Sequence, residues 1–158
     1  MKKKHHYSLK LIWTGNRGTG TSSYTAYSRD HSIRVKGKPK VALSSDPAFR
    51  GDSARYNPEE LLLASLSSCH MLWYLHLCAD NGITILEYED DPQGTLTEWK
   101  DGSGRFTEVV LKPHAQISDE SNIEMAIALH AEATKMCFIA NSVNFSVVHE
   151  PIISVYPG

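Results

Sequence analysis

Hydrophobic and polar positions divide the chain into strands, a helix, strands, a helix and strands. From residue 8 to about residue 41 the pattern is β-rich. Leu9, Leu11 and Trp13 alternate with other residues, and residues 24–27 and 33–35 are short strand candidates. Gly15-Asn16-Arg17-Gly18-Thr19-Gly20 between them is expected as a turn. Residues 44–56 are polar, contain Asp46-Pro47 and Arg50-Gly51-Asp52, and read as a loop. Asn57 is a good N-cap, Pro58 sits at the first helical position and Glu60 at the third. The following residues, 61 to about 79, are mostly apolar. Leu62, Cys69 and His76 are seven apart, with Ser65, Leu66, Leu72 and Trp73 in the same stripe. A helix apolar around most of its girth is expected at the centre of a fold or a dimer. Asn81-Gly82 ends it.

Residues 83–89, 94–99 and 106–117 read as three more strands, with Asp101-Gly102-Ser103-Gly104 as a hairpin turn. Ser121 with Glu124 predicts a capping box opening a second helix that runs to about Cys137. Ile123, Ile127, His130, Thr134 and Cys137 fall near one face of that helix. Residues 143–148 and 152–156 close the chain as strands. This order predicts an α+β fold without alternating parallel units.

A chain of 158 residues fits one domain, 1–158, and is long enough to bury a core without metal or disulfides. The net charge of −2 implies no general attraction to phosphate backbones or anionic lipid. No apolar run is read as long enough to span a bilayer, and no apolar signal core follows the basic start. Three cysteines argue against a secreted disulfide framework. The expectation is a cytoplasmic protein with reduced thiols.

Cys69 lies inside the first helix and Cys137 near the end of the second. A bond between them requires the helices to pack, because a disulfide needs Cα atoms within about 7 Å. The blander reading, that both are small core hydrophobes, is the commoner fate of helical cysteines. Cys78, nine residues after Cys69, points to the opposite side of the helix and reads as packing. Among the eight histidines no His-x-x-x-His pair occurs, nor any Cys-x-x-Cys. A zinc site of Cys69, His70 and Cys137 across elements stays open but is disfavoured by spacing. His70 is weighed between a satisfied helix side chain and a proton donor to a leaving oxygen, and His76 is read as packing. No phosphate loop, serine-hydrolase elbow or basic aromatic patch is present, so no metal, no cofactor and no nucleic acid are expected.

Asn57-Pro58-Glu59-Glu60-Leu61-Leu62 followed by Ser67-Ser68-Cys69 resembles the helix opening and peroxidatic cysteine of the OsmC/Ohr family. The family takes its name from osmotically inducible protein C and organic hydroperoxide resistance protein. The stretch from His130 through Ala133 to Cys137 resembles the family's second-cysteine helix. Trp13-x-Gly15 followed by Arg17-Gly18-Thr19-Gly20-Thr21 resembles its N-terminal strand and turn. The large residues after Cys69 and the Phe138 after Cys137 look like a distinct subgroup.

The resemblance implies an OsmC-like fold, with antiparallel sheets around two long central helices, in an intertwined homodimer. It also implies a thiol-dependent peroxidase that reduces organic hydroperoxides. Cys69 would attack the peroxide and become a sulfenic acid, and Cys137 would condense with it to a disulfide that an external dithiol reduces. Arg50 first, or Arg17 second, would favour the thiolate, and Glu59 would hold that arginine. Leu62, Leu66, Leu72, Trp73, Met136 and Phe138 would wall the pocket and favour an apolar substrate tail. The alternative is a non-catalytic binding module of the same fold for a small apolar ligand.

Overall fold

The computed structural model describes residues 2–157. It divides into two compact units, Met1–Leu61 and Leu62–Gly158. In the first, β1 (Lys10–Trp13), β2 (His31–Arg34) and β3 (Val41–Leu43) form an antiparallel sheet in that order. The expected turn after β1 is present, with Asn16 Oδ1 accepting from the backbone N–H of Gly18 at 2.8 Å and Gly20 at 3.0 Å. The strand expected at residues 24–27 is instead a turn, closed by Ala26 N–H donating to Ser23 O at 3.1 Å. Its tyrosines serve another purpose. The Arg29 guanidinium lies 4.2 Å from the Tyr24 ring centre and 4.3 Å from that of Tyr27, so the rings hold a cation rather than a ladder. Residues 44–56 form the expected loop, with one 3-10 turn at Pro47–Phe49 capped by Asp46.

Helix α1 spans Pro58–Asp80. Its start follows the sequence closely. Asn57 Oδ1 accepts from Glu60 N–H at 2.8 Å, and Glu60 Oε2 accepts from Asn57 N–H at 3.1 Å. This reciprocal box satisfies two donors that a helix end otherwise leaves bare. At the other end Gly82 takes φ 71°, and Ile83 N–H reaches back to Cys78 O at 2.9 Å. By length and composition α1 could cross a membrane, against the sequence expectation. Its buried residues, Leu66, His70, Tyr74 and Cys78, form one stripe, with Tyr74 and Cys78 in a core cluster. This stripe also replaces the predicted Leu62–Cys69–His76 one. His76 is exposed beside Asp80 at 3.4 Å, so it is not packing.

The second unit holds two mixed sheets. β4 (Ile85–Asp90), β7 (Pro113–Ile117) and β9 (Ile152–Val155) make one, in the order β4-β7-β9. β5 (Gln93–Glu98), β6 (Gly104–Leu111) and β8 (Ser146–His149) make the other, in the order β5-β6-β8. The pairs β4/β7 and β5/β6 are antiparallel, the latter a hairpin, whereas β6/β8 and β7/β9 are parallel. The single strand expected over 106–117 is therefore two strands. Pro113 offers no N–H to continue the ladder. Lys112 N–H turns to Asp90 Oδ1 at 2.7 Å, which sends β6 and β7 into different sheets.

Helix α2 is Ile123–Met136. The Ser121 capping box does not form. Asp119 caps a preceding 3-10 turn at Glu120–Asn122 by accepting from Ser121 N–H at 2.9 Å, and α2 follows from that turn. The buried face of α2 is Ala126, Leu129, His130 and Ala133, while Ile127, expected on it, is exposed. Ala126, Leu129 and Ala133 join Tyr74, Cys78, Ile83, Ala115 and Ile117 in one core cluster. Leu66, Val109 and Leu111 form a second cluster.

Candidate active site

Cys69 sits half-buried on α1, and Cys137 is the residue that ends α2. Cys137 leaves the helical region at ψ 108°, and its N–H still donates to Ala133 O at 2.9 Å. Its sulfur accepts from Ala140 N–H at 3.4 Å, which fixes the side chain. At 1% exposure it is out of solvent. Burial, with the Cys69 side chain hydrogen-bonded to it, pushes the Cys137 thiol up to about 11. Both cysteines are free thiols, and 68 residues of sequence separate two side chains near enough for Cys69 to raise the Cys137 thiol (137 − 69). Cys78 is elsewhere, fully buried beside Tyr74, with burial pushing its thiol upward.

A histidine cluster that sequence spacing does not reveal joins α1, α2 and β8. His70, next to Cys69 on α1, is 1% exposed, and His130 on α2 is 2% exposed. His70 Nε2 and His130 Nδ1 are 2.9 Å apart. The ring planes differ by 12° with centres 5.2 Å apart. A 2.9 Å nitrogen separation is shorter than any face-to-face stack allows, so the rings meet edge to edge through one N–H···N bond. Tyr74 covers the face of His130 at 3.7 Å. His149 on β8 lies 4.5 Å from His70 by ring centres. Thr134 Oγ1 donates to His130 O at 2.9 Å and lies 3.0 Å from His149 Nε2. A hydroxyl has one proton, so His149 is the donor in that second contact. Burial, then the charge of His149, then that of His130, hold His70 down to about 3. Burial followed by His149 holds His130 down to about 4. Burial also lowers His149, against the pull of the Asp90 carboxylate. Burial favours the neutral form of all three rings.

The remaining predicted residues lie in or at the edge of the first unit, so the second unit alone does not bring them to Cys69. Arg17 is exposed in the glycine-rich turn. Arg50 is exposed at φ 66°, a left-handed conformation uncommon outside glycine, where its N–H closes the 3-10 turn to Pro47 O. Glu59, on the first turn of α1, has one carboxylate oxygen, Oε2, buried without a hydrogen-bond partner. The sequence reading missed Arg29, whose Nη2 is likewise buried and unpartnered. The only local signal was the pair of tyrosines now seen against it.

Of the predicted pocket walls, Leu62 and Leu66 belong to the second core cluster rather than to a pocket. Leu72 is 63% exposed and Phe138 64%, with the Trp73 ring edge-on to Phe138 at 5.7 Å. Leu72, Trp73 and His76 line an open apolar cavity of about 240 Å³. Among the described residues, no group of three or more His, Cys, Asp or Glu side chains is arranged to hold a metal ion.

Residues 51–151 match the family model described as OsmC-like protein. The uncharacterized protein YmaD of Bacillus subtilis (strain 168) is 22% identical over 146 residues, spanning 90% of this chain and 89% of that protein. A solved OsmC-like protein of unknown function from Vibrio cholerae is 32% identical, with a TM-score of 0.84 over 94% of this chain and 100% of that one. A solved organic hydroperoxide resistance protein from Elizabethkingia anophelis shares the fold at a TM-score of 0.68, with 18% identity over 98% of this chain and 100% of its own.

Proposed function

The chain belongs to the OsmC-like protein family, and on that premise we propose that it is a cysteine-based peroxidase reducing organic hydroperoxides. The observation that carries the reading is the proximity of Cys69 to Cys137, close enough for one thiol to raise the other. Cys69, half-exposed, is the thiol a peroxide can reach. Its thiolate attacks one peroxide oxygen, the O–O bond breaks, and the alkoxide leaves and takes a proton. The sulfur is oxidised to a sulfenic acid and the peroxide is reduced to an alcohol. Cys137 then condenses with the sulfenic acid, and an external dithiol reduces the disulfide by exchange.

Activation of Cys69 is assigned to an arginine held by Glu59, with Arg50 as first choice and Arg17 as second. The unpartnered carboxylate oxygen of Glu59 supports a cationic partner there. Arg29, with its own unpartnered buried nitrogen, is the further candidate. Leu72, Trp73, Met136 and Phe138 are apolar and open to an apolar substrate tail. We read the two units as one domain, since the family match from 51 to 151 runs across their boundary. A homodimer would cover exposed Leu11, Leu72 and Phe138, and a cytoplasmic location suits the reduced thiols.

The test is peroxide consumption with cumene hydroperoxide and a dithiol reductant. Wild-type protein turns over continuously and Cys69→Ser does not turn over. Equal turnover in both would remove Cys69 from the chemistry, and no turnover by the wild-type protein would leave the non-catalytic binding module as the reading.

A further inference from the structure

The sheet β4-β7-β9 carries reactive side chains that the peroxide chemistry does not use. Its register sets Glu87 across from Gln116, Glu89 across from His114, and Gln116 across from Ser154. Residues paired across strands share a face, so these side chains stand together. The alternate residues Tyr88, Ala115 and Ile153 pack into the core cluster. His114 joins all three strands. Its Nδ1 lies 3.3 Å from Glu89 Oε1, and its Nε2 lies 2.8 Å from Ser154 Oγ. A carboxylate only accepts, so Nδ1 carries the proton. In a neutral imidazole the other nitrogen is then a free acceptor, and the Ser154 hydroxyl donates to it.

We propose that Ser154, His114 and Glu89 form a nucleophile, base and orienting carboxylate that hydrolyse small esters, an activity independent of the peroxidase reading. The three groups are joined in the order that activates a serine. The carboxylate bond is long, as catalytic hydrogen bonds often are before substrate binds. Ser154 and His114 are the catalytic residues, and Glu89 is a positioning residue that fixes the tautomer of His114. No serine-hydrolase elbow marks Ser154 in the sequence, because strand pairing alone assembles the set.

A cavity of about 310 Å³ lies on this face, lined by Glu87, Tyr88, Glu89, His114 and Gln116. Ser154 adjoins two of these residues, His114 by its hydrogen bond and Gln116 by register. The carboxamide oxygen of Gln116 is buried without a partner, so no bond at that end ties the group down. Its NH₂ is the donor assigned to the oxyanion of the ester. The volume is at the small end for a ligand pocket and suits a short acyl group. Glu87 and Glu89 on the wall repel an anionic acyl group, so the substrate class is neutral or cationic esters of short acids.

The reaction needs only ester and water. Ser154 Oγ bonds to the carbonyl carbon, and its proton passes to His114 Nε2. The ester C–O bond breaks, and the alcohol leaves with that proton. Water then attacks the acyl-serine by the same path, giving a carboxylic acid and free serine.

Thiols also react with activated esters, so the first probe is diisopropyl fluorophosphate, a neutral reagent that an activated serine attacks with loss of fluoride. Peptide mapping of the wild-type protein is expected to place one adduct on Ser154. His114→Gln is expected to slow its formation by about a hundredfold. No adduct, an adduct only at other residues, or an equal rate in folded His114→Gln overturns the proposal. Imidazole nitrogen NMR reads the part of Glu89, with the His114 proton expected on Nδ1 in the wild type and shared with Nε2 in Glu89→Gln. A proton on Nε2 in the wild type overturns the triad. Against p-nitrophenyl acetate, Cys69→Ser protein is expected to stay active and to lose that activity on adding Ser154→Ala. Equal hydrolysis by the two overturns the proposal. Ser154→Ala alone is expected to consume cumene hydroperoxide at the wild-type rate, so the triad and the peroxidase reading fail separately. Loss of peroxide consumption in folded Ser154→Ala would overturn the independence of the two activities.

Discussion

Cys69 and Cys137 are chemically the same residue, and their surroundings make them different. Cys137 is buried and raised to about 11, while Cys69 is half-exposed. At neutral pH iodoacetamide is expected to label Cys69 first. Labelling of Cys137 should grow only as the pH climbs toward its own value, because its thiolate is the disfavoured form below it. A mass-resolved labelling series from pH 7 upward checks this, and equal labelling at pH 7 would contradict it. Cys137→Ser should permit one turnover and leave a sulfenic acid on Cys69 that dimedone captures. Both cysteines and Glu59 were legible as candidates through the resemblance to a family. The His70–His130 bond was not. Sixty positions separate the two rings in sequence (130 − 70), and only the packing of α1 on α2 brings them together.

The helices show where sequence patterning carries information and where it does not. The start of α1 was legible because a capping box is local chemistry spread over four residues. Asn57→Ala should cost about 1 kcal/mol in urea unfolding, with the fold retained. Which face of α1 is buried was not legible, since a helix apolar nearly all round gives little contrast between stripes. The structure picks Leu66, His70, Tyr74 and Cys78, each four residues on. Leu66→Ala is expected to cost about 2–5 kcal/mol, because its neighbours Val109 and Leu111 cannot close the gap. Leu72→Ala, on the open side, should cost far less. The split between β6 and β7 turns on Pro113 and on the distant Asp90 that takes the Lys112 N–H, a partner no local window contains.

At the scale of the whole molecule, the buried histidines tie stability to pH. In the unfolded chain they take up protons near pH 6.5, whereas the folded protein holds His130 off to about 4 and His70 to about 3. Their contribution is complete above 6.5 and is lost as the pH falls through that window, since the unfolded state binds more protons there. Asp90 works against the loss by favouring the charged form of His149. Urea unfolding should show stability lower at pH 5 than at pH 7 by on the order of a few kcal/mol. A flat profile would mean that the rings are not buried as described. The α+β order of elements was legible from the hydrophobic pattern. The parallel additions of β8 and β9 were not, because pairing direction is set by the return path of the chain.

The most direct measurement is the intact mass and peptide map of the reduced protein after one equivalent of cumene hydroperoxide. The account predicts a loss of two hydrogens per chain, mapped to a bond between the peptides carrying Cys69 and Cys137. An unchanged mass, or oxygen added at Cys78 and the methionines instead, would contradict it.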